Sequence, residues 1–221
     1  MPVRVGLQYI AQWKDSMEKA VLAYEQEPIV KGQIVFYGPS NFTRWSTKWG
    51  MVPLREALVG KSGAPCCINR GFGSSCAEHQ LYYYHRMIKP LEPKVLVYAS
   101  FGNSLSFGYS PEETFELAQR VIAYTRTDFP DCRIYLCTAG CIKKFIDGYA
   151  EAAAKYNAML KEFVDNTPNC YLLDTKAYAP LQRDDIFVED EVHFNQKGYD
   201  LYTTFMTDVL KDVLQGGKND V

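Results

Sequence analysis

Histidine is scarce in this chain. Three occur among 221 residues, at His79, His85 and His193, so any chemistry that needs an imidazole has few places to be. Charge of one sign is also lacking. Lys and Arg number 24 against 26 Asp and Glu, a net charge of -2, and no basic field exists to hold a phosphate backbone; a dedicated nucleic-acid binder is not expected. Long apolar runs are absent too. The densest, Val95 to Phe101, falls far short of the roughly 20 residues of a membrane helix. Residues Met1 to Tyr9 carry one Arg and no apolar core ahead of a small-residue cleavage site, so no secretory signal is expected. Seven cysteines, an odd number with no Cys-x-x-Cys pair, then read as reduced thiols of a cytoplasmic protein, most of them small buried hydrophobes. Cys137 and Cys141 have a metal-like separation but no neighbouring His, so neither a metal nor a cofactor is expected.

What the chain does have is a core-sized share of hydrophobic residues, 47%, in an alternating pattern. Leu7, Ile10, Ala11, Met17, Ala20, Val21 and Tyr24 recur at helical spacing and predict an N-terminal amphipathic helix over 7–25, within a helical extension of residues 1–30 packed on the domain. Five β-rich runs follow: Gln33–Tyr37, Pro65–Asn69, Lys94–Ser100, Arg133–Thr138 and Cys170–Asp174. Helices are expected between them from near Val52, Ala77, Ser110 and Ile142, and a last one from Gln196 to about Leu214. Ser110-Pro111-Glu112-Glu113 is a strong helix start, with a Ser cap, Pro in the first turn and early acids. Strand–helix alternation implies a parallel sheet covered on both faces, a single α/β domain over 31–215, and a flexible tail over 216–221. Ligands of such sheets bind beyond the carboxyl ends of the strands.

Several attractive patterns fail. Gly60-Lys61-Ser62 resembles the end of a phosphate loop, but the Gly required at position 55 is Arg55. Gly71-Phe72-Gly73 begins a dinucleotide fingerprint whose third Gly would be Cys76. Gly38-Pro39-Ser40-Asn41-Phe42 is not Gly-x-Ser-x-Gly.

Four segments remain. Ser40 lies just past the end of the first strand, where a nucleophile would be presented. His193 precedes the last helix, with Asp190 three residues before it, near enough to accept the imidazole Nδ1–H and leave Nε2 as a base. His79 and His85 fall in an aromatic-rich helical stretch and read as packing or surface residues. Acyl transfer also needs donors for an oxyanion. Two loops offer them: Asn69 to Ser75, rich in glycine, and Phe101-Gly102-Asn103-Ser104, whose Asn103 amide is a natural donor.

In order and position, Gly38-Pro39-Ser40, Asn69 to Ser75, Gly102-Asn103-Ser104 and Asp190-Glu191-Val192-His193 resemble the four blocks of the SGNH hydrolases, the GDSL-like lipases and esterases. The resemblance runs from Gln33 to Leu214. It implies a three-layer α/β/α sandwich with a five-stranded parallel sheet of flavodoxin-like topology. It also implies a bacterial ester hydrolase in which Ser40 attacks, His193 is the base, Asp190 orients it, and Ser40, Gly73 or Ser74, and Asn103 form the oxyanion hole. The expected partner is a small-molecule ester with a short acyl group, an acetylated sugar among the candidates; Trp45, Trp49, Tyr82, Tyr83 and Tyr84 offer stacking faces. A homo-oligomer is left open.

Three residues depart from the family pattern. Pro39 replaces an Asp, Ser74 replaces the oxyanion Gly, and Ser104 replaces an Asp that often follows the Asn. The last two motivate a second reading, a catalytically silent small-molecule or carbohydrate binder on the same fold. A flavin or nucleotide binder of similar topology is a third, disfavoured because Pro39 removes an N–H from the first loop.

Overall fold

The computed structural model describes residues 10–140 and 142–215. Five parallel strands, β1 (Ile34–Gly38), β2 (Cys67–Gly71), β3 (Val95–Tyr98), β4 (Arg133–Cys137) and β5 (Cys170–Leu173), form one sheet in the order β2-β1-β3-β4-β5. Val35 pairs with Ile68 on one side and Leu96 on the other. Side chains alternate between the two faces of each strand, and both faces are buried. Val35, Tyr37, Leu96, Tyr98, Ile134 and Leu136 point to one layer, made by α1 (Ile10–Glu25), α4 (Ala77–Met87), α5 (Pro111–Asp128) and α6 (Tyr149–Asp165). Ile34, Phe36, Val95, Val97, Tyr135 and Cys137 point to the other, made by α2 (Ser40–Thr43), α3 (Leu54–Ala57), α7 (Gln196–Val209) and α8 (Lys211–Leu214). The expected three-layer α/β/α sandwich is the fold observed.

Boundaries differ from the sequence reading in three places. The second strand runs two residues later than expected, so Arg70 and Gly71 belong to the sheet and not to the loop after it. The helix expected near Ile142 begins at Tyr149, because Gly148 stands at its N-terminus in a left-handed conformation (φ 70°). The last helix breaks at Leu210, separating α7 from α8. The Ser110 cap is present as expected, its hydroxyl accepting from Glu113 N while the Glu113 carboxylate accepts from Ser110 N. In α1, Ile10, Met17 and Val21 are buried. Leu7, the Ala11 side chain, Cys141 and the 216–221 tail lie outside the described residues. Arg86 of α4 ties α1 down through Glu18 and Glu25.

Strand order reverses between β1 and β3, which leave the sheet in opposite directions and open a crevice at their carboxyl ends. Ser40 follows β1 and Asn103 follows β3, so the two flank this crevice.

Candidate active site

Ser40 is the first residue of α2, a single helical turn that starts straight after Pro39. So short a helix has no intrinsic stability. Tertiary contacts hold it instead. Asn69 Nδ2 on β2 donates to Phe42 O at 2.7 Å, while Asn69 Oδ1 accepts from Gly71 N. The Tyr199 hydroxyl on α7 donates to Asn41 O at 2.7 Å. Phe42 is buried against Phe36. The approach between β2 and α2 is so close that a Cβ on Gly71 would lie 2.4 Å from Thr43 N and 2.6 Å from Phe42 Cβ. Asn69 and Gly71 therefore position the serine's helix, a role hidden in the sequence because the contact spans the sheet edge.

His193 reaches Ser40 across 153 positions of chain. Its Nε2 lies 2.7 Å from Ser40 Oγ, and its Nδ1 lies 2.8 Å from Asp190 Oδ2. An ionised carboxylate only accepts, so Nδ1 carries the proton and Nε2 is left to accept from the Ser40 hydroxyl. Asp190 Oδ1 takes two further donors, Val192 N at 3.0 Å and His193 N at 2.9 Å. The loop that makes this possible turns at Glu191, which sits at φ 58°. Burial alone would raise the Asp190 carboxyl, but the N–H groups of His193 and Val192 and the imidazole outweigh it and hold the group well below its usual range. Burial lowers His193 below its ordinary value, Asp190 pulls the other way, and Arg44 adds to the lowering. The imidazole is thus neutral at pH 7, as a base must be.

A cavity of about 250 Å³ opens beside this relay. Ser40, His193 and Asn103 line it, with Phe101, Cys137, Ile142, Leu181 and Tyr202 among its apolar walls. Burial pushes the Cys137 thiol up to about 12, so it lines the cavity as a neutral group. Asn103 Nδ2 donates to Ser75 O at 2.9 Å, which fixes the amide and leaves its second N–H without a partner among the described residues. Gly73 borders a neighbouring depression instead, and Ser74, exposed, lies outside the cavity wall. Ser74 adopts φ 62°, the left-handed backbone that favours glycine, so its Cβ is carried there at a cost. Ser104 holds the loop in place. It is fully buried, its hydroxyl donating to Ser100 O at 3.1 Å and accepting from Ala77 N at 3.3 Å, which ties the loop after β3 to the start of α4.

The other expectations fare unevenly. Trp45, Tyr83 and Tyr84 are core residues, and Trp49 and Tyr82, though exposed, do not line the cavity; none of the five offers a face to a ligand there. His79 is buried at the start of α4, where its Nδ1 accepts from Cys76 N. His85 is exposed and packs on Tyr124. Cys67, Cys76, Cys132, Cys137 and Cys170 are buried and Cys66 partly so, all as free thiols. Two features escaped the sequence reading. Arg44 pairs with Asp190, and the segment after β4 lines the cavity, its Lys143 and Lys144 N–H groups donating to Glu191 O. Among the described residues no helix is long and apolar enough to cross a membrane.

A sheet wound 2-1-3-4-5, with a serine after its first strand, an asparagine after its third and Asp-x-x-His before its last long helix, is the arrangement of the SGNH-type carboxylic ester hydrolases. The chain matches the model of the GDSL-like lipase/acylhydrolase family over residues 37–201 and belongs to that family. No curated protein matches it in sequence. Solved structures do match in fold. A GDSL-like lipase from Bacteroides thetaiotaomicron is 15% identical, with a TM-score of 0.69 over 93% of this chain and 100% of that one. An acetyl xylan esterase is 20% identical, with a TM-score of 0.65 over 80% and 99% of the two chains. A family 3 carbohydrate esterase from Clostridium thermocellum is 15% identical, with a TM-score of 0.58 over 83% and 97%. The protein is accordingly an ester hydrolase.

Proposed function

We propose that this hydrolase cleaves small esters with short acyl groups, O-acetylated carbohydrates among them, using Ser40 as nucleophile, His193 as general base and Asp190 as the carboxylate that orients it. The observation that carries the reading is the unbroken relay, 2.7 Å from Ser40 Oγ to His193 Nε2 and 2.8 Å from His193 Nδ1 to Asp190. As Ser40 Oγ bonds to the ester carbonyl carbon, its proton passes to Nε2 and the carbonyl oxygen takes up negative charge. Donors for that oxyanion are the Ser40 N–H, left over at the start of a helix, and the Asn103 amide, both on the cavity, which Gly73 and Ser74 do not line. Collapse of the tetrahedral centre breaks the carbon–oxygen bond, and His193 returns the proton to the departing alcohol. Water then attacks the acyl-enzyme, giving a proton to His193; the acid leaves and Ser40 recovers its hydrogen.

The cavity limits the substrate. Its volume of about 250 Å³ and its apolar walls suit an acetyl or similarly short chain. Two of the fold neighbours are described as acetyl xylan and carbohydrate esterases, which agrees with this size. In this reading residues 31–215 are the hydrolase unit, braced by α1, and the free thiols suit a cytoplasmic location. The test is turnover of p-nitrophenyl acetate by the wild type beside Ser40→Ala and His193→Ala. Each substitution should cost roughly 10³-fold or more in kcat/KM. Variants that match the wild type would exclude this site.

A further inference from the structure

Arg44 is one cation more than a serine–histidine–aspartate relay requires. Its Nη1 donates to Asp190 Oδ2 at 3.0 Å, the same oxygen that accepts His193 Nδ1–H at 2.8 Å. Its guanidinium lies over the Trp49 ring, 4.3 Å from the centroid, which restricts where the long side chain can go. Its backbone N–H donates to Ser40 O at 2.8 Å, so it caps the nucleophile's own helical turn. One residue thus joins the serine's helix through its main chain to the orienting carboxylate through its side chain. The pair is partly exposed, with side-chain accessibilities of 23% and 37%, so it adds little to folding stability. Its effect falls on protonation.

We propose that Arg44 is a positioning residue that sets the acid limit of the triad: by sharing Asp190 Oδ2 and placing a positive charge near the imidazole, it keeps His193 unprotonated to lower pH. This rests on the reading of Ser40, His193 and Asp190 as the triad. The gain has a counterpart. Part of the Asp190 charge that would stabilise the imidazolium formed during attack is already committed, so the relay trades some driving force for a wider working range.

The other groups around His193 do not supply this charge. On its own loop, the Glu191 carboxylate pairs with Lys143 Nζ at 3.1 Å. Lys144, from the segment after β4, lines the same cavity but makes no bond to Asp190. From α7, the Tyr199 hydroxyl is committed to Asn41 O, and Tyr202 lines the cavity. From β4, Cys137 is a neutral thiol. Ser40, on α2, is the hydroxyl that His193 serves. Among the described residues, Arg44 is the cation bonded to the carboxylate that holds the ring.

The sign follows. Removing the positive charge makes the imidazolium easier to form, so the acid limb of kcat/KM should move to higher pH. The experiment compares wild type, R44M, R44Q and R44K on p-nitrophenyl acetate from pH 5 to 9, with an NMR titration of the His193 imidazole in each. In R44M and R44Q both midpoints should rise by about 0.5–1 pH unit, while R44K stays within about 0.2 unit of the wild type. Midpoints in R44M that overlay the wild type, or an R44K shift as large as that of R44M, would overturn the proposal. The NMR titration reads the imidazole whether or not the ester is turned over. A wild-type rate in Ser40→Ala would instead defeat the triad reading and leave the titration to speak for Arg44 alone.

Discussion

Replacing Gly71 with alanine should disable the enzyme from a position that touches no substrate. The added methyl would start 2.4 Å from Thr43 N and 2.6 Å from Phe42 Cβ, both in the single turn that begins with Ser40, and ordinary contact needs at least 3.4 Å. The backbone of α2 and the end of β2 must therefore separate by about 1 Å. Gly71 is paired with Gly38 in the sheet, and β2 is further held by the Tyr24 hydroxyl donating to Gly71 O, so the one-turn helix is the side that yields. If Ser40 travels with it, a 2.7 Å contact to His193 opens beyond hydrogen-bonding reach. A misplacement of about 1 Å in a reacting group can cost about 10²-fold, and overpacking of this kind about 1–3 kcal/mol of stability. The assay is kcat/KM on p-nitrophenyl acetate, with urea unfolding beside it. Gly60→Ala is the control, since a Cβ there would meet its nearest neighbour, Leu214 O, at an ordinary 3.5 Å and Gly60 does not line the cavity. A Gly71→Ala enzyme that stays folded and retains the wild-type rate would show that the close approach of β2 and α2 does not position the serine.

Other outcomes follow from the same geometry. Asn103→Ala should lower kcat by about 10²–10³-fold with little change in KM, measured on the same ester; a normal rate would make Asn103 only a clamp on Ser75. Ser74→Gly relieves a left-handed residue at the expense of a floppier unfolded chain and should stabilise the protein by about 0.5–1 kcal/mol in urea melts, whereas Ser74→Ala should bring no gain. The folded His193 lies below its ordinary 6.5, so the acid limb of kcat/KM should fall below pH 6.5. In the window beneath 6.5 the unfolded chain takes a proton that the folded imidazole refuses, so acidification should also lower the urea midpoint, and less so in His193→Ala. An acid limb centred above pH 7 would contradict the burial argument.

The layers of the fold could be read in advance because strand and helix leave different periods in the sequence. The runs at Lys94–Ser100 and Arg133–Thr138 are apolar on both faces, as strands between two helical layers must be. The second strand was harder. Asn69-Arg70-Gly71 has loop composition, and only the nearness of α2, supplied by distant parts of the fold, explains a glycine within a strand. Ile142, Phe145 and Ile146 recur at helical spacing, yet the segment up to Gly148 is spent on the cavity wall. At the site, Ser40, Asp190, His193 and Asn103 were legible because each follows or precedes an element whose end is marked in the chain. Arg44 was not. Its partner lies 146 positions away, and nothing local distinguishes it from an ordinary helix-end arginine. The exposed face of Trp49 suggested a sugar platform for the same reason: the sequence shows the ring but not the guanidinium already resting on it.

The hydrogen bond from Tyr199 to Asn41 gives the order of synthesis a chemical meaning. A growing polypeptide releases the serine early and its imidazole last, with 153 positions between them. Until α7 has emerged and docked, the turn bearing the serine lacks one of its anchors, and the hydroxyl has no base. With Ser40 and His193 in the roles proposed, hydrolytic competence arrives only with the completed fold, and a ribosome-bound fragment ending before residue 186 should be inert toward esters.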